Sequence, residues 1–83
     1  MNLYHIVRNE EICWDEYDEA VVAAESASDA RLMHPGRHMP KDGVIQDPWH
    51  EWTTDPDKIA VTLIGVALPE SETGVICASY NAG

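Results

Sequence analysis

Residues 17–35, YDEAVVAAESASDARLMHP, change character partway along. The first part centres on Ala20-Val21-Val22-Ala23-Ala24, and its branched valines predict an extended strand from Tyr17 to Glu25. Ser26-Ala27-Ser28-Asp29 then has the spacing of a capping box. Ser26 can accept from an early backbone N–H, and Asp29 puts negative charge at the positive end of a helix. Ala30, Arg31, Leu32 and Met33 continue that helix. His34 is its expected last residue, because Pro35 restricts the residue before it and Gly36 follows. A helix of about eight residues is unstable alone, so it should dock Ala27, Ala30 and Leu32 or Met33 on a sheet.

On the amino-terminal side, Leu3, His5 and Val7 alternate with Tyr4, Ile6 and Arg8. This period of two predicts a strand over Met1–Arg8, pairing with the second strand as an antiparallel hairpin with a long loop. On the other side, Pro40, Gly43, Pro48 and Pro56 interrupt residues 36–56, and Val44-Ile45 is the only apolar pair suited to a brief strand. Lys58 to Leu68 is the strongest strand. Its nearly unbroken apolar run predicts burial on both faces and a central place, with Gly65 marking a bulge or bend. A turn from Pro69 to Gly74 leads into a last strand over Val75–Tyr80. The expected fold is α+β, a two-layer sandwich in which one short helix lies on a small, mainly antiparallel β-β-α-β-β sheet. At 83 residues, one domain spanning 1–83 is expected.

Charge is the most unusual property of the chain. Fifteen Asp and Glu oppose five Lys and Arg, a formal net charge of −10, where a small domain usually carries roughly 2 to 8 in magnitude. Glu10, Glu11, Asp15, Glu16, Asp18, Glu19, Glu25 and Asp29 fall between residues 9 and 30 without one Lys or Arg. Hydrophobic content of 45% argues against disorder. No apolar run approaches the roughly 20 residues that cross a bilayer. The start, MNLYHIVRNEE, lacks a basic segment followed by an apolar one, so no secretory leader is expected. Cys13 and Cys77 should then stay reduced in a cytoplasm.

The acid cluster is the leading candidate for binding. In a regular strand Asp15, Tyr17 and Glu19 would share one face and Glu16 and Asp18 the other, with like-facing side chains about 7 Å apart. Such a row resembles the charge spacing of a nucleic-acid backbone and suits a groove that holds phosphates with Lys and Arg. Trp14 and Tyr17 add side chains of the kind enriched at interface hot spots. The expected partner-binding set is therefore Glu10, Glu11, Trp14, Asp15, Glu16, Tyr17, Asp18 and Glu19. A solvated acidic loop is the plainer reading.

Other features carry less. His34 and His38 are separated by three residues, as in some zinc pairs, and His50, Cys13 and Cys77 are the remaining ligand types. Pro35-Gly36 breaks the pair and no C-x-x-C exists, so neither metal nor cofactor is expected. Arg31, Arg37 and Lys41 concentrate positive charge. With Trp49 and Trp52 they suggest an alternative role, sequestering a nucleotide-like signal. No G-x-S-x-G, P-loop, H-E-x-x-H or Rossmann pattern occurs, so no enzyme activity is expected. Five cations can hardly supply a face for direct nucleic-acid binding.

The run from Tyr17 to Ser26, with Ala30-Arg31 and His34-Pro35, resembles small acidic bacteriophage-encoded proteins. So do Trp52-Thr53-Thr54-Asp55-Pro56-Asp57-Lys58 leading into Val61 and Ile64-Gly65, and the ending GVICASYNAG, residues 74–83. Proteins of this kind include inhibitors of host defence, among them anti-CRISPR proteins, several of which imitate DNA. The resemblance implies an inhibitor in the host cytoplasm that blocks a basic, nucleic-acid-handling surface, most plausibly of a CRISPR effector.

Overall fold

The computed structural model describes residues 1–82. Strands β1 (Asn2–Arg8) and β2 (Glu16–Ala24) precede helix α1 (Ala27–Arg31), and β3 (Ile59–Val66) and β4 (Gly74–Asn81) follow. A single 3-10 turn, Pro56–Lys58, leads into β3. The fold is α+β, a four-stranded antiparallel sheet in the order β3-β1-β2-β4 with one short helix. Among the described residues, no helix is long and apolar enough to cross a membrane.

The hairpin of β1 and β2 forms as its alternation predicts. Tyr4 pairs with Val22 and Ile6 with Ala20, while Ile6 also faces Val61 across the other ladder. Directly paired residues point the same way, so one face of the sheet collects Tyr4, Ile6, Ala20, Val22 and Val61. Ile59 of β3 extends that face, and against it lie Ala30 from α1, then Met33, Ile45 and Trp52 from the long connection. The irregular segment thus contributes several of the largest core side chains.

Local chemistry explains its turns. Lys41-Asp42-Gly43-Val44 closes a tight reversal through two backbone hydrogen bonds of 3.0 and 3.1 Å between Lys41 and Val44. Asp42 and Gly43 both have positive φ, 53° and 73°, as the Asp-Gly pair of a mirror-image turn requires. Val44 is exposed and Ile45 buried, so the expected brief strand is reduced to this single bridge.

Two expectations need correcting. The strand over Ile59–Val66 is an edge strand, paired only with β1. Leu63, Ile64 and Val66 are 60, 52 and 78% exposed, so its apolar run does not mark a central place. Burial on two faces and exposure at an edge give similar hydrophobic patterns, and pairing partners decide between them. The irregularity expected near Gly65 is present: Tyr4 pairs with Leu63 but Leu3 with Gly65, leaving Ile64 as the extra residue.

The helix is also shorter than expected, five residues with Leu32 as its C-cap. Ser26 Oγ does accept from Asp29 N–H at 3.1 Å, as the capping spacing predicts. His34, the expected last residue of the helix, lies beyond it and is wholly buried.

β3 and β4 sit at opposite edges, and their connection must cross the end of the central pair. It is fastened there by Ala67 N–H donating to Met1 O at 3.0 Å and by Thr73 Oγ1 beside Met1 Sδ at 3.1 Å. Gly74 opens β4 with φ of 146°, a conformation that side chains rarely tolerate.

An acidic cleft beside two exposed tryptophans

Arg8 ends β1 with its guanidinium buried, which in so acidic a chain demands partners. Nη1 donates to Trp52 O at 2.7 Å and Nη2 to Glu16 Oε1 at 2.8 Å, while Nε stands 3.5 Å from Glu10 Oε1. The guanidinium also lies over the Trp52 ring, 5.8 Å from its centroid. Arg8 therefore joins β1, the β1–β2 loop and the long connection at one point.

Around it opens a cleft of about 480 Å³, lined by Arg8, Glu10, Glu11, Cys13, Glu16, Asp47, His50, Trp52, Thr53 and Thr54. Four carboxylates face one guanidinium, so the cleft is net acidic. Trp14 and Trp49 each follow or precede a lining residue, Cys13 or His50, and are 70 and 73% exposed. Trp52, by contrast, is in the core. The tryptophan segment is thus core at one end and surface at the other.

The predicted binding residues separate into groups. Glu10 and Glu11 are exposed in the cleft with Glu16, and Trp14, which follows the lining residue Cys13, is exposed. Asp15 is exposed at φ 61°, its N–H donating to Asn81 O at 2.6 Å. A bulge interrupts the β2–β4 ladder between Tyr17 and Glu19, so the simple alternation of faces fails there. Tyr17 is half-buried, edge-on to Tyr80 at 4.8 Å and to His34 at 5.9 Å, and serves the core. Asp18 is half-buried with Oδ1 lacking a hydrogen-bond partner. Glu19 lies elsewhere, 3.5 Å from His5 Nε2 and lining a different cavity. Asp15, Tyr17 and Glu19 therefore form no common row.

Glu16 is held from within. Cys13 N–H donates to Glu16 Oε1 at 2.8 Å, and this bond, joined by Arg8 against the cost of burial, holds its pKa below the usual carboxylate value. A depressed folded pKa adds stability above the unfolded value near 4.5, and that stability is lost as pH falls through the folded pKa. Denaturant unfolding should therefore show wild type more stable than Glu16→Gln at pH 7, with the gap closing below about pH 4.5. A gap independent of pH would refute this account.

Sequence reasoning missed the residue that organises the cleft wall, Asp47. Its Oδ1 accepts from Glu51 N–H at 2.9 Å and meets His34 Nε2 at 2.8 Å, while Oδ2 accepts from Trp52 N–H at 3.2 Å. Burial raises the Asp47 pKa, but these bonds outweigh it and the net shift is downward. His34 Nδ1 accepts from Gly36 N–H at 2.8 Å, so the proton must sit on Nε2 and point to Asp47. Burial lowers the His34 pKa against the opposing pull of Asp47, which keeps the ring neutral. Asp47-Pro48 was legible only as a turn, because the partner histidine is thirteen positions away.

His34 and His38 meet ring to ring at 4.7 Å, and one ligand atom each from His34, His38 and Glu51 lie within 4.8 Å of one another. His50 and the two cysteines are not in this group, and both cysteines are free and exposed. Arg31 donates to Pro56 O and Ile59 O, so it staples the 3-10 turn to β3. Arg37 donates to Val75 O at 3.0 Å and lines two cavities without Arg31, Lys41 or either Trp49 or Trp52. No family model, curated protein or solved structure matches the chain.

Proposed function

We propose that this protein is a non-catalytic inhibitor that occupies a basic, nucleic-acid-binding groove on a bacterial defence effector, in the manner of anti-CRISPR proteins. The observation that carries the reading is an acidic cleft walled by Glu10 and Glu11, with largely exposed indole rings at Trp14 and Trp49, the chain neighbours of its lining residues Cys13 and His50. Carboxylates steer a cationic partner and set register, while tryptophans supply the desolvated anchors that hold it. Solubility alone requires acids but gains nothing from exposed indoles. The host-cell setting and the CRISPR target follow from the resemblance to phage proteins. A two-layer arrangement, helix and long connection on one face, is the architecture this reading assumes; the joint cluster of Tyr4, Ile6, Val22, Ala30 and Trp52 supports it.

The refined docking set is smaller than the sequence set: Glu10, Glu11 and Trp14, joined by Trp49. Asp15 stays a candidate, and Glu10 is retained because its 3.5 Å approach to Arg8 is longer and more exposed than that of Glu16, which with Tyr17 is committed to Arg8 and to the core. The test adds the chain to a purified CRISPR effector and measures displacement of its DNA. Wild type should compete, and a Glu10→Lys, Glu11→Lys, Trp14→Ala triple variant should lose on the order of 100-fold in potency. Raising salt should weaken the wild type much more than the variant. Equal potency of the two proteins would overturn the charge-and-indole account.

A further inference from the structure

Independently of that reading, we infer that His34, His38 and Glu51 form a binding site for a zinc-class divalent cation. Two imidazoles and a carboxylate are a donor set suited to zinc, and three protein ligands leave a fourth position open. One donor atom from each residue already lies within 4.8 Å of the others. Tetrahedral bonds of zinc length need donors about 3.4 Å apart, a contraction within reach of side-chain rotation. His38 and Glu51 belong to the irregular connection and are only half-buried; the Glu51 carboxylate now accepts from the Tyr80 hydroxyl, a bond the cation must replace.

Two further features suit a metal. Asp47 fixes the orientation of His34 by accepting from Nε2–H at 2.8 Å, the outer carboxylate that ligating histidines commonly use. The other ring nitrogen, Nδ1, then carries the lone pair and faces the Gly36 turn, where His38 also packs. A cavity of about 180 Å³ is lined by both His34 and His38, though not by Glu51, and Arg37 stands in its wall. Gly36 N–H now occupies the Nδ1 lone pair at 2.8 Å, so the cation must displace that donor as it binds. This exchange makes metal uptake dependent on movement of the turn after α1.

The test uses the full chain with Cys13→Ser and Cys77→Ser, which removes thiol ligands, after chelator treatment. Calorimetric titration with Zn²⁺ at pH 7.5 should saturate at one equivalent, and bound Co²⁺ should show the visible bands of a low-coordinate site. Zn²⁺ should also raise the Tm, since it binds the folded state. His38→Ala and Glu51→Gln, checked for native circular dichroism, should each weaken Zn²⁺ by about tenfold or more and abolish the Tm rise. Absence of saturable binding would overturn the inference, as would affinity unchanged in both variants.

Discussion

Replacing Asp47 with alanine should lower stability by about 3–5 kcal/mol, the range for removing one member of a buried, hydrogen-bonded polar pair. The side chain is 5% exposed and its partner His34 is wholly inaccessible. Alanine leaves three donors without an acceptor: His34 Nε2–H and the N–H groups of Glu51 and Trp52. Water cannot easily replace them around His34, because the ring is packed against Tyr17, His38 and Trp52. In a domain of this size the loss corresponds to a fall in Tm on the order of 20 °C. Asp47→Asn, which keeps the shape and one acceptor oxygen, should lose less. Thermal melts of both variants check the order, and an alanine variant that melts within a few degrees of wild type would refute the account.

The second large effect is expected at Arg8. Its side chain is 2% exposed, yet it carries a charge in a protein whose net charge is −10. Arg8→Ala removes donors from Trp52 O and Glu16 Oε1 and leaves the half-buried Glu16 carboxylate with only the Cys13 N–H. It also removes the cation above the Trp52 ring. About 2–3 kcal/mol of stability should go with it, chiefly because Trp52 O loses its buried donor and the packed side chain leaves a void, while Glu16, 23% exposed at the cleft, can turn to water. Arg8→Lys should recover little, because a single ammonium cannot reproduce the fork that reaches both acceptors. Chemical denaturation of Arg8→Ala, Glu16→Gln and the double variant measures the coupling. Additive losses would show that the pair contributes nothing jointly.

These two residues illustrate how unevenly the sequence disclosed the molecule. The strands β1, β2 and β4 were readable because side-chain alternation and branched residues act within a few positions. The capping serine was readable because its acceptor and donor are three residues apart. Asp47 and Arg8 gave no such signal. Asp47 also has near partners, but the His34 it fixes lies thirteen positions away, and the Trp52 carbonyl that Arg8 holds lies forty-four away. Among the candidate residues, Glu10, Glu11, Trp14, Asp15 and Glu19 are exposed, and Glu16, Tyr17 and Asp18 are half-buried. The expected row of Asp15, Tyr17 and Glu19 does not form, because a bulge in β2 between Tyr17 and Glu19 breaks the alternation that grouped them.

The amino-acid sequence by itself determined the antiparallel hairpin, the capped turn of helix, the final strand and the large negative charge. Each depends on local conformational preference or on composition, which need no knowledge of neighbours in space. Only the tertiary structure decided that the most apolar strand lies at an edge, that His34 is buried against Asp47, and that Trp52 is core while Trp49 is surface. Those outcomes depend on which segments meet after the chain closes, and the free energy of burying a group is set by what surrounds it.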